Sequence, residues 1–195
     1  MKDHDQIQQK NQFPDSVLGS LFAHFGFTNL TEIQKKASPI ILQKKDCLVI
    51  APTGSGKTEC SVIPVFSLVK KSKKLGKIKV LYITPLRALN RDVFRRITKY
   101  AQSNDLSIEI RHGDTTQTAR RKITENPPDV LITTPETLVI LLTQIKMLDA
   151  LSELEWIVID EVHELLASER GSQLSLSIER LQLNSKHYLT KIGLS

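Results

Sequence analysis

A glycine-rich segment from Ala51 to Thr58 combines the residue types that bind the phosphates of a nucleotide. It reads Ala-Pro-Thr-Gly-Ser-Gly-Lys-Thr and departs from the pattern G-x-x-x-x-G-K-[ST] only at its first position. Gly54 and Gly56 allow a tight turn that brings backbone amides close to an anion, because glycine tolerates positive φ. The Lys57 ammonium can pair with the β- and γ-phosphates, and the Thr58 hydroxyl can ligate Mg²⁺. The predicted phosphate-binding residues are Thr53, Gly54, Ser55, Gly56, Lys57 and Thr58.

Two carboxylates, Asp160 and Glu161, follow the apolar segment Trp156–Ile159. If this segment is a strand of an open parallel sheet, its carboxyl end lies on the edge that also holds the phosphate loop. There Asp160 can hold Mg²⁺, and Glu161 can orient or deprotonate an attacking water, which indicates hydrolysis rather than phosphate transfer to a small molecule. An acidic pair could also simply cap the next helix. Because the phosphate loop is present, we favour a catalytic site of Glu161, Lys57 and Asp160.

Other catalytic sites are excluded by spacing. His163-Glu164 lacks the second histidine of H-E-x-x-H, since Ala167 stands at that position. The sequence also contains no Gly-x-Ser-x-Gly motif and no cysteine spacing typical of a metal site. His163 is therefore expected to couple or pack rather than to bind a metal. Cys47 and Cys60 do not form a disulfide framework, so we expect a reduced, cytoplasmic protein.

Short apolar segments alternate with amphipathic helical patterns from residue 44 onward. The predicted strands are Cys47–Ala51, Val80–Thr84, Ser107–Ile110, Val130–Thr133, Trp156–Ile159 and Tyr188–Ile192. Two further helices precede them, one opening at Pro14 and one over Thr31–Gln43. Continuous apolar strands alternating with helices predict an α/β fold, a mostly parallel sheet covered by helices on both faces. We expect one domain over residues 13–195, after a polar leader at residues 1–12.

Composition restricts the class of protein. The chain has 195 residues, of which 40% are hydrophobic and 25% charged, so it is neither disordered nor fibrous. It contains no stretch of about 20 apolar residues and no secretory signal, so we expect no membrane partner. A net charge of +6 is compatible with a polyanionic partner. The densest basic run, residues 70–77, is predicted to be a solvated loop, since it has no interleaved aromatic residues for stacking bases.

From about Phe25 to Ser195, the order of these motifs resembles the first RecA-like domain of superfamily 2 helicases, which are P-loop NTPases. Gly26-Phe27 followed by Thr31-Glu-Ile-Gln34 resembles the Q motif, which implies that Gln34 hydrogen-bonds adenine. Many members of the family carry a stacking aromatic residue where this chain has Val17. The candidates for that role here are Phe13, Phe25 and Phe27.

Two threonine-proline segments resemble the motifs with which the family contacts the nucleic-acid backbone. Thr84–Leu89 resembles motif Ia, and Thr133–Glu136 resembles motif Ib. The prolines begin helices after strands, so free amides and a helix dipole would face a phosphate. The implied contact residues are Pro85, Arg87, Thr134, Pro135 and Glu136. By the same resemblance, His163 and Ser195 of motif III couple the nucleotide site to nucleic acid.

Within the superfamily the chain is most similar to the large helicase-related (Lhr-like) group. Residues 81–92, His112–Thr115, Asp160–Leu165 and Glu169–Gly171 carry this likeness, whereas RNA helicases of the DEAD-box type have Asp-Glu-Ala-Asp where this chain has Asp-Glu-Val-His. The resemblance implies an ATP-dependent helicase or translocase that uses ATP and Mg²⁺ on single-stranded nucleic acid, with DNA favoured over RNA and 3′-to-5′ polarity. The alternatives are an RNA helicase of the same superfamily and a nucleic-acid-binding module that uses ATP as a conformational ligand.

The resemblance implies that the second RecA-like domain, which supplies the arginine finger in the family, is absent from this sequence. An arginine finger contributes a factor of about 10³–10⁵ to the rate. We therefore expect this chain alone to bind ATP weakly and to hydrolyse it very slowly.

Overall fold

A computed structural model describes residues 15–85, 91–166 and 168–195 of the chain. Its strands are β1 (Cys47–Val49), β2 (Val80–Ile83), β3 (Ile108–Arg111), β4 (Val130–Thr133), β5 (Trp156–Ile159) and β6 (Thr190–Leu194). They form one sheet in the order β1-β6-β5-β2-β4-β3, and every neighbouring pair is parallel. The predicted α/β fold is confirmed.

Helices connect the strands and cover the sheet. They are α1 (Asp15–Ala23), α2 (Glu32–Leu42), α3 (Lys57–Val69), α4 (Arg91–Ser103), α5 (Gln117–Glu125), α6 (Pro135–Leu141), α7 (Ile145–Ala150), α8 (Val162–Leu166) and α9 (Glu169–Asn184). A 3₁₀ turn over Leu151–Glu153 leads into β5. None of the helices within the described ranges has the length and apolar character needed to span a bilayer.

Two hydrophobic cores lie on opposite faces of the sheet. Successive side chains of a strand point to opposite faces. Accordingly, Val80 and Tyr82 of β2 pack with helices α1–α4, whereas Leu81 and Ile83 pack with α5–α9. All four side chains are completely buried. Burial on both faces explains why the strands are continuous apolar runs in the sequence.

The last strand begins two residues later than its apolar pattern predicts. Tyr188 lies outside the ladder, is 65% exposed, and donates its hydroxyl to Asp46 at 2.8 Å. Pairing starts where the Thr190 N–H donates to the Glu155 carbonyl, and it continues to Leu194. The predicted bounds Tyr188–Ile192 were therefore wrong at both ends. The strand was predicted to begin too early because tyrosine has a high strand propensity whether or not its residue pairs in the sheet.

The strand order brings the carboxyl ends of β1 and β5 to either side of β6. The phosphate loop follows β1, and the acidic pair follows β5. In open parallel sheets ligands bind at this edge, between the loops that leave the strands. The fold therefore brings together two motifs that are about 100 residues apart in the sequence.

Candidate nucleotide site

The phosphate loop connects β1 to α3 with glycines in the left-handed backbone region. Gly54 has φ of +79° and Gly56 has φ of +89°, values that other residues adopt only with strain. Helix α3 begins at Lys57, so its free N–H groups and its positive dipole end face the loop. The Lys57 ammonium donates to the Ala51 carbonyl, which holds the charge over the loop.

The Gln34 segment contacts this loop directly. Thr31 caps α2 in a capping box, in which the Thr31 hydroxyl accepts the Gln34 N–H and Gln34 Oε1 accepts the Thr31 N–H at 3.0 Å. Gln34 is 1% exposed. A Cβ placed on Gly56 would lie 2.5 Å from Gln34 Nε2, so only glycine leaves room for this amide.

The acidic pair lies at the end of β5. Asp160 is buried and accepts two hydrogen bonds, from the Glu161 N–H at 3.0 Å and from the Tyr82 hydroxyl at 2.6 Å. Burial, reinforced by the charge of Asp160, raises the pKa of Tyr82 well above its usual value, so this hydroxyl stays a donor. Glu161 has φ of +51°, a left-handed conformation that is strained for glutamate. Strain of this kind is concentrated at functional sites.

One cavity of about 520 Å³ joins these segments. Its lining includes Gln34, Thr53, Gly54, Gly56, Lys57, Thr58, Asp160 and Glu161, all of them predicted site residues. Ser55 is the predicted phosphate-binding residue that does not line it. The Ser55 hydroxyl is buried, and no atom of the described residues accepts or donates a hydrogen bond to it. The role of the Ser55 side chain in phosphate binding therefore stays a prediction.

The structure separates the candidates for adenine stacking. Phe27 lines the cavity beside Gln34. Phe25 is not part of this lining and packs edge-to-face against Tyr100, with ring centroids 5.3 Å apart, and Val17 is half-exposed on α1. Phe13 lies outside the described residues. Phe27 is thus the candidate whose position fits the role.

Three further residues near the site were missed by the sequence analysis. Glu59 and Arg96 line the cavity and form an ion pair of 3.0 Å, although Arg96 comes from α4. Tyr82 reaches Asp160 from the neighbouring strand. None of the nucleotide-binding motifs includes these residues, because each acts through a contact that depends on strand order and helix packing.

The residues present fit Mg²⁺, which prefers oxygen ligands. The Thr58 hydroxyl comes from the start of α3 and the Asp160 carboxylate from the end of β5, and both line the cavity. Together with phosphate oxygens and water they would supply the donor set that Mg²⁺ takes at nucleotide sites.

The two predicted coupling residues are in contact. His163 Nδ1 and the Ser195 hydroxyl share a hydrogen bond of 3.0 Å, and His163 Nε2 lies 3.3 Å from the Glu161 carboxylate. The His163 side chain is itself 56% exposed. It therefore bridges the acidic pair and the end of β6, where Ser195 pairs with β1 through the Val49 carbonyl.

The predicted nucleic-acid contacts have different surroundings. Pro85 is buried, and Arg87 lies outside the described residues. Thr134 is 3% exposed and caps α6, its hydroxyl accepting the Thr137 N–H at 3.3 Å. Pro135 is the buried first residue of α6. The side chains of Pro85, Thr134 and Pro135 therefore face inward, and this segment can offer mainly backbone groups to a ligand.

Glu136 is the exposed member of the same set. Its carboxylate pairs with the Arg170 guanidinium at the start of α9, and both side chains are 46% exposed. This ion pair links α6 to α9 on the surface beside the end of β4.

The fold and the site define the class, a parallel α/β domain of the RecA-like, P-loop type. A family model described as "DEAD/DEAH box helicase" matches residues 31–195. The chain therefore belongs to the DEAD/DEAH box helicase family.

Relatives at 34–38% identity include proteins of the Lhr type, as the sequence motifs predicted. The "ATP-dependent helicase Lhr-Core" of Saccharolobus solfataricus is 38% identical over an alignment of 182 residues, and the match covers 87% of this chain and 21% of the relative. A structure of Mycobacterium smegmatis helicase Lhr bound to ssDNA and AMP-PNP has a TM-score of 0.75 at 36% identity, covering 92% of this chain and 24% of that one. The "Probable ATP-dependent RNA helicase DDX52" of Bos taurus is 34% identical, covering 82% of this chain and 27% of the relative. The chain thus spans about a fifth to a quarter of the length of these relatives.

Proposed function

We propose that this chain is the nucleotide-binding domain of an ATP-dependent helicase or translocase that moves on single-stranded nucleic acid, with DNA favoured over RNA. The observation that carries the proposal is the single cavity in which the Gln34 segment, the phosphate loop and the acidic pair meet. Membership of the DEAD/DEAH box family supports ATP as the nucleotide.

Each side chain of the cavity has a role that follows from its position. Gln34 would hydrogen-bond the adenine edge and Phe27 would stack on the base. The loop amides and Lys57 would bind the phosphates, because they combine aligned N–H groups with a positive charge. Glu161 would orient the attacking water and accept its proton. Mg²⁺, held by Thr58 and Asp160, would neutralise charge developing on the phosphate oxygens.

The domain would work together with a second one. We propose that residues 13–195 form the first RecA-like domain and that a second domain of the full protein completes the ATP site. The relatives are about four times as long as this chain, which leaves room for such a domain. Without an arginine finger the chain alone would turn over ATP about 10³–10⁵ times more slowly. His163 and Ser195, between Glu161 and the end of β6, would transmit the state of the nucleotide.

The nucleic-acid surface would lie along the carboxyl edge of β2 and β4. There Thr134 would present its backbone N–H group to a phosphate, and Pro85, Pro135 and Glu136 would border the path. Arg87, which lies outside the described residues, is the predicted cationic contact. The preference for DNA rests on the Lhr-type relatives, among them the helicase bound to ssDNA. The relative described as a probable RNA helicase favours the alternative of RNA.

Nucleotide binding by the chain tests the site first. Calorimetry with Mg·ATP should show that Lys57→Ala weakens binding by about 10–100-fold, since a hydrogen bond to a charged group is worth about 1.5–3 kcal/mol. Glu161→Gln should keep the affinity. Lys71→Ala, at an exposed position just beyond the same helix, is the matched control and should not change it. An affinity that Lys57→Ala leaves unchanged would refute the assignment of the loop.

Turnover by the full protein then separates the alternatives. ATP hydrolysis should rise mainly with single-stranded DNA under the leading proposal and mainly with RNA under the first alternative. Glu161→Gln should abolish turnover while nucleotide binding persists. If ATP is only a conformational ligand, Glu161→Gln should leave function intact. Nucleic-acid affinity should fall with salt, with a slope of about −0.7 per phosphate neutralised on a single strand.

A further inference from the structure

We propose that Tyr82 is a positioning residue for the nucleotide site and that its hydroxyl sets the orientation of the Asp160 carboxylate toward Mg²⁺. The inference rests on the proposed function, because it assigns a partner to the residue proposed to hold the ion. It concerns a residue of β2 to which none of the nucleotide-binding motifs in the sequence assigns a role.

Tyr82 lies where the sheet is most enclosed. Its strand, β2, is flanked by β4 and β5, and Tyr82 is in register with Ile132 and Val158. The side chain is completely buried. From this position its hydroxyl donates to Asp160 Oδ2 across 2.6 Å, the short distance typical of a hydrogen bond to a carboxylate.

The carboxylate is held from two directions. The Glu161 N–H donates to Oδ1 at 3.0 Å, while Tyr82 donates to Oδ2. Two donors on different oxygens fix the rotation of the carboxylate about its bond to Cβ, and each oxygen keeps a further lone pair for another ligand. Outer partners of this kind orient metal-binding carboxylates, and their removal typically lowers metal affinity by about 10–100-fold.

Thr58 adds a second connection. Burial and the charge of Asp160 raise the pKa of Tyr82, whereas the Thr58 side chain lowers it, so both residues proposed to hold Mg²⁺ act on the Tyr82 hydroxyl. These two residues come from different segments, the start of α3 and the end of β5.

The test compares Tyr82→Phe with Tyr100→Phe. Both tyrosines are buried and both donate to a carboxylate beside the same cavity, but Tyr100 donates to Glu59, at 3.4 Å. We expect Tyr82→Phe to raise by about tenfold or more the Mg²⁺ concentration that half-saturates ATP binding. ATP affinity measured in EDTA should stay unchanged. Tyr100→Phe should alter neither value.

Each of three other outcomes would overturn the proposal that Tyr82 positions Asp160. If Tyr82→Phe leaves the Mg²⁺ dependence unchanged while the wild-type chain shows it, Tyr82 does not position the carboxylate and the proposed function stands. If affinity falls equally with and without Mg²⁺, the effect is general damage to the cavity. If the wild-type chain binds ATP with no dependence on Mg²⁺, the metal site itself is refuted.

A measurement on the wild-type chain covers the case in which Tyr82→Phe does not fold. The sequence has three tyrosines, so labelling with ¹³C at Cζ gives three resonances, which Tyr100→Phe and Tyr188→Phe assign. Adding Mg²⁺ to the ATP-bound chain should shift the Tyr82 signal. Tyr188 lies at the opposite edge of the sheet, before β6, and should not move. An unmoved Tyr82 signal would contradict the proposal.

Discussion

Replacing Gly56 with alanine tests the contact between the phosphate loop and α2, and replacing Gly54 supplies a matched control. Both glycines have positive φ, +89° and +79°, so alanine at either position adopts a left-handed conformation that costs roughly 1–2 kcal/mol. Their surroundings differ. A Cβ at Gly56 would lie 2.5 Å from Gln34 Nε2, whereas a Cβ at Gly54 would meet no heavy atom of the described residues within 4 Å.

The additional loss of stability in Gly56→Ala comes from the Gln34 side-chain amide, which must move away from the new Cβ. Gln34 is 1% exposed, and its Oε1 accepts the Thr31 N–H at 3.0 Å, so displacing the amide breaks the capping box. A hydrogen bond of this kind contributes about 0.5–1.5 kcal/mol. We therefore expect Gly56→Ala to lower the free energy of unfolding by about 1 kcal/mol more than Gly54→Ala does.

Urea unfolding of the nucleotide-free chain, followed by circular dichroism, measures both values. A double-mutant cycle with Gln34→Ala isolates the contact, because the shortened side chain no longer meets the new Cβ. In that background the difference between the two alanine variants should vanish. Equal destabilisation of Gly54→Ala and Gly56→Ala in the wild-type background, or a difference that persists after Gln34→Ala, would refute the reasoning.

Two further predictions concern titration. Burial raises the pKa of Glu155, but hydrogen bonds from Lys79, Lys44 and Ser72 outweigh it and leave the pKa below its usual value. Because the folded-state pKa is the lower one, the stabilisation is complete above the unfolded pKa near 4.3 and is lost as pH falls through the folded value. The urea midpoint of Glu155→Gln should therefore fall less than that of wild type between pH 5 and pH 3, and an equal fall would contradict this. The second prediction concerns the thiols, since burial raises the pKa of Cys47 to about 11 and that of Cys60 to about 12. At pH 8 a thiol reagent followed by mass spectrometry should label the native chain on the order of 100-fold more slowly than the chain in urea, and comparable rates would show that these thiols are open to solvent.

Continuous motifs could be predicted from the sequence because their chemistry is local. In the phosphate loop, the glycines, Lys57 and Thr58 are neighbours in the chain, and the backbone turn that they need is determined by their own φ values. The parallel sheet was also predictable, because strands buried on both faces leave long apolar runs. These two predictions together locate the acidic pair, since parallel strands place their carboxyl ends on one edge.

Contacts across the sheet could not be predicted in this way. Tyr82 meets Asp160 only because β2 lies next to β5, and alternation of strands and helices does not determine that order. The choice between Phe25 and Phe27 depends on how the segment after α1 packs against Tyr100. In each case the sequence supplies the residue type, whereas tertiary packing decides what it touches.

Two glutamates just before β5 show how this chain compensates buried negative charge outside the nucleotide site. Glu153 and Glu155 lie just before β5, at the amino edge of the sheet, and are nearly inaccessible. Lysines surround them. Lys79, itself buried, lies 3.1 Å from Glu155 and 3.6 Å from Glu153, and Lys44 lies 3.2 Å from Glu155. A buried carboxylate with cationic partners of this kind is compensated within the chain.

Asp160, at the other end of the same strand, has partners of a different kind. The described residues give it two donors, the Tyr82 hydroxyl and the Glu161 N–H, and both are neutral. Neutral donors orient a carboxylate without cancelling its charge, so the negative charge remains available to a cation that arrives with the nucleotide. The strand thus begins with glutamates paired to lysines and ends with an aspartate positioned for Mg²⁺, which is the distinction that the comparison of Tyr82→Phe with Tyr100→Phe measures.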